Sequence, residues 1–195
     1  MSSNKEEQEL YLYDPSLLLK LDFYRSPAKF NPPITCVAPG EPWLKVRPLK
    51  SGDYRRGFLQ ILSQLTSIGE ISEVQFLNRF AEMRAKGDYY VTVIEDLRKN
   101  KIIGSATLVI ERKFIHSCGN RAHLEDVVVD DTYRGKQLGK LIVVTVTCLA
   151  EYLGCYKMSL ECKDKLIAFY RSIGYVDEPG NSNSMTLRYD KQANL

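Results

Sequence analysis

A chain of 195 residues with 44% hydrophobic content is long enough for one domain with a sizeable core. Its 27 basic and 24 acidic residues leave a net charge of only +3, which with no long basic run argues against a nucleic-acid partner. The five cysteines are odd in number and none sits at Cys-x-x-Cys spacing, so neither a disulfide framework nor a zinc site is indicated. The polar N-terminus carries no signal-peptide core, and no apolar run reaches membrane-spanning length. A soluble protein of a reducing compartment, the cytoplasm, is expected; the sequence leaves peripheral endomembrane association undecided.

Residues 1–8 are charged, and mobility is expected there. Asp14-Pro15-Ser16 is a plausible helix start. Pro27, Pro32, Pro33, Pro39 and Pro42 then exclude a continuous helix or a central strand. Residues 1–42 therefore read as an extension draped on or linked to a main domain, 43–190, with 191–195 as a tail. The first strand is expected at Leu44–Leu49. Asp53 can cap a helix holding Phe58, Leu59, Ile61 and Leu62. After a turn at residues 65–69, Ser72 and Gln75 resemble a capping box for a helix with Phe76, Leu77, Phe80 and Met83 on one stripe, ending near Gly87. Tyr89–Glu95 and Ile102–Glu111 form an antiparallel pair across the polar loop 96–101, and His123–Val129 is a further strand.

Residues 138–153 are ambiguous. Ile142, Val143, Val144, Thr145, Val146 and Thr147 favour a strand, whereas the length and Gly154 favour a helix. Lys157–Cys162 reads as a strand. Asp164 can cap a helix with Leu166, Ile167, Phe169, Tyr170 and Ile173, ended by Gly174, and Met185–Tyr189 is expected to be the last strand. Hairpins early and strand–helix–strand steps late predict an α/β fold with a mixed, largely antiparallel twisted sheet flanked by helices.

The richest stretch runs from Leu124 to Lys140. Val127, Val128 and Val129 read as a buried strand, Asp130 and Asp131 as a turn, and Arg134, Gly135 and Gly139 as a loop opening the next helix. Backbone N–H groups at such a helix start have no helical carbonyl, and the helix dipole adds positive potential. That is an anion site suited to phosphate, reinforced by Arg134, Lys136 and Lys140. Three residues, not four, separate Gly135 from Gly139, and Leu141 follows Lys140, so this is not a P-loop; the three glycines of a dinucleotide fingerprint are also missing. A basic surface turn opening an ordinary helix remains the plain alternative.

The run Arg-Gly-Lys-Gln-Leu-Gly after Val-Val-Val resembles the pyrophosphate loop of the GNAT superfamily of acetyl-CoA-dependent N-acetyltransferases. Gln137 stands where that pattern usually has glycine, which leads to the expectation that position 137 needs no positive φ. The stretches 89–93, 113–118, 125–129, 134–141, 155–157 and 160–162, taken in order, resemble the glucosamine 6-phosphate N-acetyltransferases, and 14–18 resembles the N-terminal segment of their animal forms. The similarity spans about residue 10 to Arg188.

This resemblance implies direct attack of the 2-amino group of D-glucosamine 6-phosphate on acetyl-CoA, with acetyl-CoA as the only cofactor-like group and no metal. It implies that Val127, Val128 and Val129 pair with the pantetheine arm; Gly135, Lys136, Gln137, Leu138, Gly139 and Lys140 cradle the pyrophosphate with Arg134; and Tyr170, Arg171 and Ser172 contribute to the same ligand. Glu161 is implied as the base and Tyr170 as the donor to the departing sulfur. Thr66, Lys113, Phe114, Ile115, His116, Glu125, Asp126, Val127, Tyr156, Lys157, Glu161 and Arg188 are implied to hold the sugar phosphate. Lys113, Lys157 and Arg188 suit its phosphate, and Glu125 and Asp126 its hydroxyls or amine. Homodimers with shared sites are also implied, Arg188 reaching the partner's sugar. From the residues alone, Glu161 could be a surface glutamate, His116 a structural histidine and Tyr170 a core aromatic. Acetylation of lysines, polyamines or drugs, and a non-catalytic acyl-CoA sensor, remain rival readings.

Overall fold

The computed structural model describes residues 9–180 and 184–187. Five strands form one sheet in chain order: β1 (Leu44–Pro48), β2 (Tyr89–Asp96), β3 (Lys101–Arg112), β4 (Asn120–Val129) and β5 (Cys155–Ser159). The helices are α1 (Phe58–Leu62), α2 (Glu73–Lys86), a single turn α3 (Ile115–Cys118), α4 (Leu138–Tyr152) and α5 (Ile167–Arg171). β1 to β4 pair antiparallel and β4 pairs β5 in parallel, so the sheet is mixed and largely antiparallel, as the sequence predicts. The parallel step needs a crossover, and α4 supplies it.

The period-two alternation of β2 divides the core. Val91 and Val93 pack with Phe58, Ile61, Phe76 and Phe80 of α1 and α2, while Ile94 packs with α4. α2 begins at the predicted capping box, where Gln75 N donates to Ser72 Oγ (3.2 Å) and Ser72 N donates to Gln75 Oε1 (2.8 Å). α4 settles the ambiguity at 138–153. Leu141, Ile142, Val143, Val144, Val146 and Leu149 are wholly buried, so tertiary burial outweighs the modest helix penalty of β-branching. Its threonine hydroxyls are satisfied inside the helix: buried Thr145 Oγ1 donates to Leu141 O (2.7 Å) and half-buried Thr147 Oγ1 to Val143 O (2.9 Å).

Asp53 does not act as a helix cap ahead of α1. It lies within a 3-10 turn, Ser51–Arg56, fully buried, and its carboxylate takes a two-pronged guanidinium contact from Arg47 (2.7 and 2.8 Å). Arg47 Nε also donates to Glu95 Oε2 (2.7 Å). Burial works against the Arg47 charge, but Asp53 and Glu95 outweigh it and its pKa is raised.

Three late elements differ from the sequence expectation. β5 stops at Ser159 rather than Cys162, because its neighbour β4 leaves it after His123. Asp164 caps nothing; it starts a 3-10 turn, Asp164–Leu166, whose N-cap position is Lys163, and α5 spans only Ile167–Arg171. Ser184–Leu187 is exposed and unpaired with the sheet, so the predicted strand at 185–189 does not form there, a strand requiring a paired edge. Its end, with Arg188, lies outside the described residues.

The extension is draped over the domain and shares its core. Leu18, Ala28, Ile34 and Cys36 are buried in the cluster built around α4. Asp14 accepts from Ser16 N (2.8 Å) and starts a 3-10 helix, Pro15–Lys20, and Tyr13 Oη lies 2.6 Å from Thr92 Oγ1 on β2.

Candidate active site

The site begins with a fault in the sheet. Ser105 pairs with Val128 and Thr107 with Glu125, so Ala106 alone opposes both Asp126 and Val127. This is a β-bulge, and Asp126 takes the positive φ (50°) that the extra residue demands. Bulges bend a strand and re-aim its side chains. Here β4 pairs with β5 only from Asn120 to His123. Beyond that point the strands part, and the outer edge of β4 through Val127–Val129 is unpaired among the described residues. Such an edge offers N–H and C=O groups to an extended ligand.

The mouth of this notch is acidic. Ligand atoms of His123, Glu125 and Glu161 lie within 4.8 Å of one another. His123 Nδ1 is 3.0 Å from Glu125 Oε1. Glu161 reaches this position because β5 has already ended, so it stands on irregular backbone and is exposed, not in a strand as expected. Two carboxylates and an imidazole so placed can hold an ammonium and accept its proton. The same three donors are the grouping among the described residues that could hold a metal ion. His123 was not singled out from sequence. Its signal was the two-residue spacing to Glu125, which puts both on one face of β4.

A cradle of backbone N–H groups unpaired among the described residues lies at the start of α4. Leu141 N donates to Gln137 O (2.9 Å), closing the first helical turn and leaving the N–H groups of Leu138, Gly139 and Lys140 without helical carbonyls. Gly135 has φ +82° and open space where a Cβ would stand, so backbone can approach a ligand closely. Gln137 is left-handed too, with φ 57° and ψ 17°. The expectation that this position needs no positive φ is wrong; the side chain carries the strain that glycine would avoid. Gln137 and its basic neighbours are also engaged with the extension. Gln137 Nε2 donates to Asn31 O (3.0 Å) and Oε1 accepts from Asn31 N (3.1 Å). Lys136 Nζ meets Glu41 Oε1 (2.7 Å), and Lys140 Nζ donates to Lys29 O (2.8 Å). Arg134, largely exposed, pairs with Asp131 (2.8 Å).

Tyr170 on α5 is 8% exposed and stacks edge-on with Phe169 and Tyr175. It is a core aromatic, yet its hydroxyl has no hydrogen-bond partner among the described residues. Burial, with the neighbouring Cys162 adding to it, raises its pKa, so the hydroxyl keeps its proton and can donate.

A strand-edge notch, an acidic mouth and a helix-start cradle fit an acyl-CoA fold. The profile of the acetyltransferase (GNAT) family matches residues 56–175. The chain belongs to the GNAT acetyltransferase family. It is 72% identical over 188 residues to a Drosophila melanogaster protein named as a probable glucosamine 6-phosphate N-acetyltransferase, covering 96% of this chain and 86% of that one. An Arabidopsis thaliana glucosamine 6-phosphate N-acetyltransferase is 41% identical over 131 residues, 67% of this chain and 88% of that one. A crystal structure of glucosamine-6-phosphate N-acetyltransferase from Arabidopsis thaliana superimposes with a TM-score of 0.72 at 38% identity, over 75% of this chain and 99% of that one.

Within this GNAT fold the remaining predicted residues fall into two groups. Close to the notch, Glu111 on β3, Lys113 just after it and Arg121 on β4 form one charged group. Lys113 pairs with Glu111 and, as the leading cause, holds its carboxyl below the usual range. His116 and Tyr156 stack at 4.3 Å, His116 and Ser117 having left-handed backbone (φ 52° and 57°) in α3. Phe114 and Ile115 project from the same segment, 97% and 63% exposed. Lys157 Nζ is 4.0 Å from Glu178 Oε2. The second group is not joined to the cluster by any described contact. Thr66 is exposed after α1, Arg171 pairs with Asp177, and Ser172 Oγ donates to Phe169 O (2.6 Å). Arg188 lies outside the described residues.

Proposed function

We propose that this chain acetylates the 2-amino group of D-glucosamine 6-phosphate with acetyl-CoA, releasing N-acetyl-D-glucosamine 6-phosphate and CoA. The carrying observation is 72% identity over 96% of the chain to a relative of that named activity, with the notch, base and cradle in one GNAT fold. The product is a precursor for UDP-N-acetylglucosamine.

The chemistry follows from the groups at the notch. Acetyl-CoA lies with its pyrophosphate on the N–H groups of residues 138–140 and its pantetheine along the free edge of β4 at Val127–Val129. A sugar ammonium near neutral pH cannot attack, and Glu161 takes its first proton, which passes to solvent. The amine nitrogen then bonds to the thioester carbonyl carbon, whose oxygen gains charge that a β4 backbone N–H meets. Collapse breaks the C–S bond; the Tyr170 hydroxyl gives its proton to the departing sulfur, which leaves as the thiol, the nitrogen's second proton passes to solvent, and a proton from solvent restores the tyrosine. Glu125 and Asp126 receive sugar hydroxyls, while Lys113 and Lys157 suit the phosphate.

A homodimer with shared sites is the quaternary reading. It is supported by Phe114, Ile115, Met185 and Leu187, which are 97%, 63%, 93% and 76% exposed in the single chain. Arg188 then serves the partner's sugar phosphate. Among the described residues no helix is long and apolar enough to cross a membrane, and five free thiols support a reducing, cytoplasmic setting.

Thiol release from acetyl-CoA tests the reading. Glucosamine 6-phosphate should give a far higher kcat/KM than glucosamine, lysine peptides or polyamines. Equal kcat/KM for glucosamine and its phosphate would sink it, and binding without turnover on any amine would favour an acyl-CoA sensor.

A further inference from the structure

The turn that receives the pyrophosphate holds a contradiction. Gln137 occupies a left-handed conformation, which glycine adopts freely and a residue with a Cβ does not. A residue remains there only where its surroundings over-determine it. Its side chain supplies that constraint. The amide forms a closed pair with the backbone N–H and C=O of one residue of the extension, donating to Asn31 O (3.0 Å) and accepting from Asn31 N (3.1 Å), and it also donates to Pro32 O (3.3 Å). Both amide atoms are thus used on backbone 106 positions earlier in the chain.

The latch is not isolated. Lys140, in the first turn of α4, donates to Lys29 O (2.8 Å), and its ammonium lies 5.6 Å from the centre of the Phe30 ring. Lys136 pairs with Glu41 (2.7 Å), whose carboxyl it holds below the usual range. The turn is therefore gripped through three of its residues, Lys136, Gln137 and Lys140, by residues 29–41. These residues lie outside the stretch matched by the family profile, which begins at residue 56. They are anchored in turn by Ala28, Ile34 and Cys36, which are buried against α4.

We propose that Gln137, latched to the backbone of Asn31 and Pro32, is a positioning residue for the acetyl donor: it holds the turn before α4 in the left-handed form that aims the N–H groups of residues 138–140 at pyrophosphate, and so makes residues 29–41 part of the donor site. Gln137 acts through backbone geometry; its amide is committed to the extension and does not grip the ligand. The inference rests on the reading of this turn as the pyrophosphate cradle. By reciprocity, a donor that favours the ordered turn must also favour the docked segment.

The test compares wild type with Gln137→Gly and Gln137→Ala, using direct titration of acetyl-CoA, steady-state kinetics and hydrogen exchange. Alanine loses the latch and keeps the left-handed strain, so acetyl-CoA should bind about tenfold more weakly. Glycine loses the latch but not the conformation, and about threefold weaker binding is expected. The order wild type, Gly, Ala is the signature. KM for the sugar phosphate and kcat at saturating donor should stay within about twofold, because the acidic mouth is untouched. CoA should slow exchange of the amides in residues 29–31 in wild type and do so much less in both variants. Wild-type affinity in both variants overturns the proposal. Equal weakening in Gly and Ala also overturns it, since the amide would then grip the ligand itself. Parallel loss of kcat, sugar KM and thermal midpoint would reduce Gln137 to general structure and overturn it too. Failure of the wild type to bind acetyl-CoA would instead remove the cradle reading beneath it.

Discussion

Glu161→Gln removes a charge and a proton acceptor while preserving size. The side chain is exposed, and its carboxylate shares a space of 4.8 Å with His123 and Glu125. That exposure sets the magnitude. General-base catalysis contributes roughly 10²–10⁴-fold, and a base open to solvent competes with water, which puts the loss in kcat near about 10²-fold at pH 7. Binding of acetyl-CoA should hold within about twofold, because the cradle belongs to α4 and the residue to the segment after β5. The loss should shrink as pH rises from 7 to 9. Amines of this kind titrate around pH 8, so deprotonated substrate becomes abundant without help. The assay is thiol release at saturating acetyl-CoA across that range, with the unfolding midpoint as a control on the fold. Undiminished turnover at pH 7, or a loss that does not change with pH, refutes the role and passes it to Asp126 or to a water relay.

Three further outcomes are expected. Arg47→Met removes the buried cation of Asp53 and Glu95 and leaves them with only Arg56 (3.2 and 3.9 Å) among the described residues, so stability should fall by up to about 3–5 kcal/mol and the thermal midpoint by up to roughly 6–20 °C; a shift below about 2 °C would show that the network contributes little. The Arg98 guanidinium, with the Tyr133 hydroxyl, holds the Asp96 carboxyl far below its ordinary range, against burial. A depressed pKa contributes stability above the unfolded value near 4 that is lost as pH falls through the folded one, so the stability gap between wild type and Asp96→Asn should begin to narrow below about pH 5 and still be narrowing as pH passes below about 3; a constant gap contradicts the linkage. A verified heterodimer of Arg188→Ala and Glu161→Gln subunits concentrates both lesions in one site if Arg188 crosses to the partner, and activity should recover toward half of wild type; no recovery would return Arg188 to its own subunit.

The sequence by itself determined the sheet up to Val129, the capping box of α2 and the glycine-bearing loop that opens α4. Each is local: alternation, a three-residue spacing, or N–H groups freed at a helix start. By resemblance it also named Glu125 and Glu161 of the acidic mouth, though not His123. What it could not determine depends on contacts across the chain. The helical state of 138–153 was decided by burial on nearly all sides, which outweighs β-branched propensity. The early end of β5 and the freedom of Glu161 follow from a bulge in a different strand, at Asp126. Asp53, a cap by pattern, became the anion of a buried Arg47 clamp. Gln137, read as a position without need of positive φ, is left-handed because a peptide 106 residues earlier holds its side chain. Local pattern records what a residue prefers, and only the folded chain supplies the partner that makes it accept something else.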